Sequence, residues 1–191
     1  KACDSNVDVN SIKYTYTCEV NPSAENSGPS SYKLVTNANQ ISVGSKVVIA
    51  SAIANYAMST TQNNNNRGQA AINKDNTNKT ISWTNNNVAI FELKAGTKAN
   101  TYAFYDSINN GYLYAASGSS NYLRTQSSID DNASFLFTIS STSFTAIAQG
   151  KNSKNNIKYN SSSGIFSCYS NGQSPISLYV NNNQTVTPID T

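Results

Sequence analysis

Three stretches of the chain repeat one pattern of short apolar segments separated by turns, and this repeat constrains the fold most. The stretches are residues 47–94, 101–139 and 144–180. Each begins with an apolar segment, passes through a turn into two further short segments, and ends on an alternating segment. Alternation with a period of two is typical of β-strands. A repeat of about 40 to 50 residues made of such strands predicts an all-β repeat architecture.

Four strands are predicted in each unit, and the three units together contain twelve. The predicted strands are residues 47–50, 56–59, 70–72 and 89–93, then 102–105, 112–115, 122–125 and 135–139, then 144–148, 157–159, 165–169 and 176–180. Three such units can close on each other around a pseudo-threefold axis. Half of the strands would then form a closed barrel, which removes exposed strand edges, and the rest would cap one end.

The segments between the predicted strands are rich in Gly and Asn. Loops are predicted at residues 62–66 and 73–78, and they explain the extra length of the first unit. Turns are predicted at Arg67-Gly68 and at Asn109-Asn110-Gly111, where a positive φ suits Gly and Asn. No segment has the pattern of an amphipathic helix.

The repeat pattern divides the chain into three parts. Residues 32–180 are expected to form the repeat domain, residues 1–31 an N-terminal arm or linker, and residues 181–191 a C-terminal tail. The arm contains an alternating segment at residues 12–18, followed by a linker rich in Pro, Ser and Asn. It belongs to an upstream domain or adds a strand to another subunit, and both alternatives remain open.

Charge is sparse, because only 12% of the residues are charged and the net charge is +3. The Lys and Arg residues do not cluster, so no nucleic-acid partner is expected. No apolar run is long enough to span a bilayer. Asparagine supplies thirty of the 191 residues, and such neutral polar surfaces are common on extracellular bacterial β proteins. A secreted or surface location is therefore expected, although codon bias in an AT-rich genome explains the asparagines equally well.

The chain has three cysteines, Cys3, Cys18 and Cys168. Cys3 and Cys18 are predicted to form a disulfide that closes a short loop, which fits an oxidising compartment. Cys168 alternates with Phe166 in an apolar strand, so it is predicted to be a buried free thiol, with a disulfide to Cys3 or Cys18 as the alternative.

The residue types that usually carry catalysis are scarce. The chain has no histidine, which removes the common general base, the Ser-His-Asp arrangement and the usual zinc sites. Glu92 is expected to be solvated, and nothing in its setting supports a glycosidase pair with Asp106. Asp130 and Asp131 are expected in a turn and lack the acidic loop of a calcium site. Neither an enzymatic activity nor a metal or cofactor is therefore expected.

The ingredients of a glycan site gather around one predicted turn. Aromatic faces stack on sugar rings, and Asp, Asn and Gln side chains bond to hydroxyl groups. The candidate ligand-binding residues are Asp106, Asn109, Asn110, Tyr112 and Tyr114. The alternative is that Tyr112 and Tyr114 alternate with Leu113 simply as strand residues.

Two functions follow from these observations. The first is a secreted, non-catalytic binding module for a neutral glycan or cell-surface polysaccharide. The second is a structural subunit of an extracellular fibre or surface assembly, joined to other protein subunits through the N-terminal arm, because strand addition supplies main-chain hydrogen bonds between subunits.

The unit pattern resembles β-trefoil modules of the lectin, fascin and fibroblast-growth-factor type. The best matches are Asn110-Gly111-Tyr112-Leu113 and Ala133-Ser134-Phe135. The segment from Asn156 to Tyr169 also resembles a module that recurs in secreted bacterial proteins. The resemblance implies a β-trefoil-like closed barrel of three four-strand units. The Gln-x-Trp signature of ricin-type sugar sites is absent, so no such site is implied, and Trp83 is expected to pack in the fold.

Overall fold

A computed structural model describes residues 31–182 of the chain. The predicted Cys3–Cys18 disulfide lies outside these residues. So do residues 1–30 of the predicted arm and residues 183–191 of the predicted tail.

The described part of the chain is all-β, as the sequence predicts. Its helical structure is one short 3-10 turn, Ala38–Gln40. Fifteen strands follow in chain order: β1 Tyr32–Leu34, β2 Lys46–Ser51, β3 Tyr56–Gln62, β4 Arg67–Ala71, β5 Asn73–Asp75, β6 Thr80–Ser82, β7 Phe91–Ala95, β8 Thr101–Asp106, β9 Gly111–Ala115, β10 Leu123–Gln126, β11 Phe135–Ile139, β12 Phe144–Ala148, β13 Asn156–Asn160, β14 Ile165–Tyr169 and β15 Ile176–Asn181.

Six strands pair in a cycle that returns to its first member. β2 pairs with β7, β7 with β8, β8 with β11, β11 with β12, β12 with β15, and β15 with β2, all antiparallel. Each of these strands therefore has a neighbour on both sides. No strand of the cycle presents a fully unpaired edge to another chain, which is how closed pairing avoids edge-to-edge association.

Each repeat unit contributes two strands to the cycle and one hairpin beside it. The hairpins are β3–β4, β9–β10 and β13–β14. All twelve predicted strands are present, but two in the first unit have shifted bounds. The strand predicted at 70–72 runs from Arg67 to Ala71, and the one predicted at 89–93 runs from Phe91 to Ala95.

The loop predicted at residues 73–78 is wrong in part, because Asn73–Asp75 is β5 and pairs with β6. β6 also pairs with β1, and β1 pairs with β15, so these three strands extend the sheet beyond the cycle. Their polar sequences hide the strand pattern. Ile81 and its cross-strand partner Lys74 face inward from this hairpin. Ile81 packs in a cluster with Val48 and Ala50 of β2.

Two predicted turn positions are also corrected. Arg67 and Gly68 begin β4 and do not form a turn. The turn before β9 carries its positive φ of 48° at Asn110, and Gly111 is already in the strand. A Cβ on Gly111 would lie 2.5 Å from the backbone oxygen of Gln126, so close strand approach requires glycine there.

Aromatic rings from neighbouring strands of the cycle fill the main core. Phe104 of β8 contacts Phe91 of β7 and Phe135 and Phe137 of β11, with ring centroids 5.8, 5.5 and 5.3 Å apart. Phe137 continues the chain of contacts to Phe144 of β12 at 5.2 Å. The rings thus connect four strands of the cycle. They meet in tilted and edge-to-face arrangements, which aromatic pairs favour over face-to-face stacking.

A second, smaller core lies under the three-strand extension. Tyr32, Ile81 and Tyr179 are buried there, together with the outer face of β2. Trp83 packs on Tyr32 with ring centroids 5.1 Å apart, as expected of a packing residue. β2 is therefore buried on both faces, which explains its continuous apolar run.

Substitutions on β11 test the register of the cycle. Phe135 is fully buried, whereas Leu136 next to it is 41% exposed. Phe135→Ala should lower the free energy of unfolding by about 3–5 kcal/mol through lost burial and a cavity. Leu136→Ala, the matched control, should cost less than about 1 kcal/mol. Urea unfolding measures both, and equal losses would contradict the assigned faces, since a slip of one residue exchanges them.

Cys168 is a free, fully buried thiol, as predicted. Burial raises the pKa of the thiol far above its usual value, so little reactive thiolate forms. We expect a thiol reagent at pH 8 to leave Cys168 unmodified in the native protein and to modify it in denaturant. Peptide mapping identifies the site, and rapid native labelling of Cys168 would contradict its burial.

Candidate functional site

The β8–β9 hairpin carries all five predicted glycan-site residues. Asp106 ends β8, Gly111 begins β9, and the two are paired across the hairpin. Tyr105 and Tyr112 form the next pair. Side chains of directly paired residues lie on the same face of a sheet. The hairpin thus separates Asp106 on the inner side from the tyrosines on the outer side.

Asp106 is a buried structural anchor, with 1% of its surface exposed. One carboxylate oxygen, Oδ1, accepts hydrogen bonds from the backbone N–H groups of Ile108 and Asn109 at 2.9 and 3.2 Å. The other, Oδ2, accepts from Arg67 at 2.5 Å and from the Asn109 side chain at 2.8 Å. Both oxygens are therefore occupied within the protein.

Arg67, the partner of Asp106, is completely buried at the start of β4. Its Nη2 also donates to the hydroxyl of Thr125 at 2.8 Å, and its guanidinium lies 5.8 Å from the ring centroid of Phe91. Burial lowers the pKa of Arg67, and the Asp106 carboxylate opposes that change. Its Nε has no hydrogen-bond partner among residues 31–182. This ion pair connects β4 of the first repeat unit to β8 of the second.

Asn109 also supports the hairpin. Its side-chain Nδ2 donates to Asp106 and to the backbone oxygen of Thr60 at 3.0 Å. Thr60 belongs to β3, so Asn109 connects the turn of the second unit to the hairpin of the first. Asp106 and Asn109 therefore hold the turn in place. Replacing either would disturb the fold of the turn, whether or not the residue also contacts a ligand.

The remaining predicted residues lie on the outer side, with a tyrosine that the sequence interpretation missed. Tyr105, Tyr112 and Tyr114 are each partly exposed, and we call these three the tyrosine face. The rings of Tyr105 and Tyr112 are 5.2 Å apart and tilted by 53°. The Tyr105 hydroxyl donates to the exposed Asn110 at 3.1 Å. Tyr112 and Tyr114 lie two residues apart on one strand, which places them on one side.

Polar groups of β10 and β7 border the tyrosine face. Arg124 is paired with Tyr114 and Gln126 with Tyr112 across the β9–β10 hairpin. Arg124 lies over the Tyr122 ring at 4.8 Å and bonds to the Asn65 side chain. Lys94 lies 5.9 Å from the Tyr105 ring centroid and bonds to Glu92. Both neighbouring cations are thus already engaged by protein groups.

Tyr105 could have been found from the spacing of the hairpin. Residues 107–110 form the turn, so the residues one step outside Asp106 and Gly111 must face each other. This inference requires the exact turn length. The sequence pattern indicates a turn but does not fix its length, so it does not single out Tyr105.

The two carboxylates considered for catalysis point away from each other. Asp106 is paired with Phe91, whereas Glu92 is paired with Tyr105, so their side chains lie on opposite faces of β7 and β8. The expectation that Glu92 is solvated is wrong in part. Only 24% of its side chain is exposed, and it forms ion pairs with Lys46 and Lys94. Hydrogen bonds from Lys94 and Lys46 lower the pKa of Glu92.

Among residues 31–182, no group of three or more His, Cys, Asp or Glu side chains could hold a metal ion. None of the helical structure there has the length and apolar character needed to cross a membrane.

No protein-family model and no curated protein matches the sequence. The solved structures that are similar to it include the following two. The first is a GlcNAcα1-4Gal-releasing endo-β-galactosidase from Clostridium perfringens, with 11% identity and a TM-score of 0.51 over 71% of this chain and 32% of that chain. The second is a Polyporus squamosus lectin bound to the human-type influenza-binding epitope Neu5Acα2-6Galβ1-4GlcNAc, with 13% identity and a TM-score of 0.52 over 73% of this chain and 49% of that chain.

At these identities the likeness concerns the fold alone. The chain spans about a third of the enzyme and about half of the lectin. It therefore shares an all-β fold with one carbohydrate-active protein and one glycan-bound protein.

Removing Asp106 tests its structural role. Asp106→Ala leaves the Arg67 guanidinium buried without its carboxylate, and breaking such a buried pair costs about 3–5 kcal/mol. Urea unfolding should therefore show a large loss of stability. Asp131→Ala, which removes a half-exposed carboxylate paired with Lys98, is the matched control and should cost much less. Similar losses in the two variants would contradict the anchoring role of Asp106.

Proposed function

We propose that residues 32–180 form a β-trefoil-like, non-catalytic module that binds a neutral carbohydrate at the tyrosine face. The observation that carries this proposal is the tyrosine face itself, three partly exposed rings beside the β8–β9 turn of the second unit. The fold likeness to a carbohydrate-active enzyme and a lectin supports it. The three-unit strand arrangement, with its closed cycle and three hairpins, supports the β-trefoil-like description.

The chemistry of the face suits a sugar ring. Aromatic rings offer an apolar surface for the C–H side of a sugar, and hydroxyl and amide groups at the border can bond to its hydroxyls. Tyr112 and Tyr114 supply rings, and Asn110 and Gln126 supply amides within the same hairpin pair. Tyr105 positions Asn110 through its hydroxyl and supports the Tyr112 ring from beside it.

A neutral ligand fits the charges around the face. Lys94 forms an ion pair with Glu92, and Arg124 is bonded to Asn65 and packed on Tyr122. Lys94 is thus neutralised by a carboxylate, and two of the Arg124 nitrogens are used by the Asn65 side chain. Because screening weakens only interactions between charges, we expect the affinity for a neutral saccharide to change little with salt.

The open shape of the face implies weak binding by one domain. The rings lie on the surface of the sheet, so only one side of a sugar would be covered. Little buried area is then available to offset the loss of translational and rotational freedom on association. Such a module would contribute most when attached to a larger secreted or surface protein, where linkage raises the effective concentration of the site.

Calorimetry against a panel of neutral polysaccharides tests the proposed function. Tyr112→Ala should weaken binding about tenfold, the order expected from the energy of one aromatic contact, and Tyr112→Phe should retain most of it. Asn110→Ala should weaken binding as well, whereas Asn64→Ala, an exposed asparagine on another turn, should leave it unchanged.

Two outcomes would contradict the proposal. Equal affinity of the wild type and Tyr112→Ala, with the variant folded, would remove the tyrosine face from the site. Absence of binding to every polysaccharide, together with end-to-end assembly that requires residues 1–20, would favour the structural-subunit function instead.

A further inference from the structure

A second concave site lies on a different part of the surface. It opens between the β5–β6 hairpin and the turn that joins β11 to β12, and its volume is about 320 Å³. None of its lining residues belongs to the tyrosine face. This volume is at the lower end of the range for small-molecule sites, and it is larger than a single small ion needs.

Lys74 supplies a half-buried positive charge to this pocket. Its Nζ donates to the backbone oxygen of Ser51 at 2.5 Å, and no carboxylate among residues 31–182 forms an ion pair with it. An ammonium group has three donors, so two remain for other partners. Burial lowers the pKa of Lys74, which is the effect of an ammonium poorly compensated by its surroundings.

Lys79 adds a second cation at the same opening. It is exposed, sits at the end of the β5–β6 turn with a φ of 58°, and its side chain bonds to nothing within residues 31–182. Asp75 is the one acidic residue lining the pocket. Its carboxylate accepts from the Thr77 and Asn78 backbone N–H groups and from the Asn78 side chain, so it closes its own turn.

Hydroxyl groups line the opposite wall. The turn between β11 and β12 consists of Ser140, Ser141, Thr142 and Ser143, and Ser140 holds it together by accepting from the N–H groups of Thr142 and Ser143. Within residues 31–182 the hydroxyls of Ser141, Thr142 and Ser177 have no hydrogen-bond partner. Phe144 and Tyr179 contribute buried apolar surface beside them.

We propose that this pocket binds the acidic group of a saccharide, a carboxylate or a sulfate ester. Two ammonium groups supply charge-assisted hydrogen bonds to the anion. The serine and threonine hydroxyls can bond to the oxygens of the anion or of the sugar, and the apolar surface can contact its ring. The site takes an anionic ligand, unlike the tyrosine face, and it does not depend on the function proposed for that face.

Nuclear magnetic resonance of the ¹⁵N-labelled full chain tests this site. The probes are galacturonic acid, N-acetylglucosamine 6-sulfate, inorganic sulfate and, as a neutral control, galactose. The acidic sugars should shift the amide signals of residues 74–79 and 140–143, and the binding should weaken as salt is added. If either acidic sugar binds more tightly than inorganic sulfate, the ligand is a saccharide. The sugar that binds more tightly shows whether its acidic group is a carboxylate or a sulfate ester.

Matched lysine variants separate the pocket from general surface charge. Lys79→Ala should reduce the affinity for the tighter acidic sugar about tenfold, the cost of one charge-assisted hydrogen bond. Lys33→Ala, an exposed lysine of neighbouring β1 that does not line the pocket, should change it less than twofold. Lys74→Gln should also weaken binding, with its folding checked by the unperturbed amide spectrum.

Four results would overturn the proposal. The first two are no amide shift at residues 140–143 with any acidic probe, and an affinity for galactose equal to that for the acidic sugars. The third is an equal loss of affinity in Lys33→Ala and Lys79→Ala. The fourth is an affinity for inorganic sulfate that neither acidic sugar exceeds. The tyrosine-face variants should leave this binding unchanged, so failure of one site is distinguishable from failure of the other.

Discussion

Antiparallel pairing between β15 and β2 closes the cycle on which the other features depend. It joins the last strand of the third unit to the first strand of the first unit over five residue pairs. Closure brings the inner faces of all six strands together and creates the space that Phe91, Phe104 and Phe135 fill. These contacts are remote in sequence, so their formation must offset a large loop-closure entropy. The aromatic core supplies the burial that does so.

The buried pair of Arg67 and Asp106 sets how the first two units meet. Its charges cost free energy to bury, and the Arg67 Nε is left without a partner among residues 31–182. Buried pairs are therefore weak contributors to net stability, although losing one partner is damaging. We infer that this ion pair matters mainly because it fixes the position of Asp106. By fixing Asp106 inside, it forces the turn to present Tyr105 and Tyr112 outside.

The sequence predicted much of the fold because each unit has its own alternating apolar pattern. All twelve predicted strands exist, and Cys168 and Trp83 pack as expected. The β5–β6 hairpin was missed because Ile81 is the only apolar residue in its two strands, so they show no alternating apolar pattern. The site was harder to predict. Asp106 carries a carboxylate, a group that often binds sugar hydroxyls. Its burial depends on Arg67, which is 39 residues away in sequence, so the local pattern does not show it.

We propose that the β8–β9 hairpin on this closed scaffold offers tyrosine rings to a neutral sugar. The most direct measurement is of intermolecular nuclear Overhauser effects between an unlabelled saccharide and protein whose tyrosine rings are ¹³C-labelled, using a polysaccharide fragment that binds by calorimetry. We expect contacts from sugar ring protons to Tyr112 and Tyr114. Contacts confined to other tyrosines, such as Tyr56 or Tyr169 of the first and third units, would contradict it.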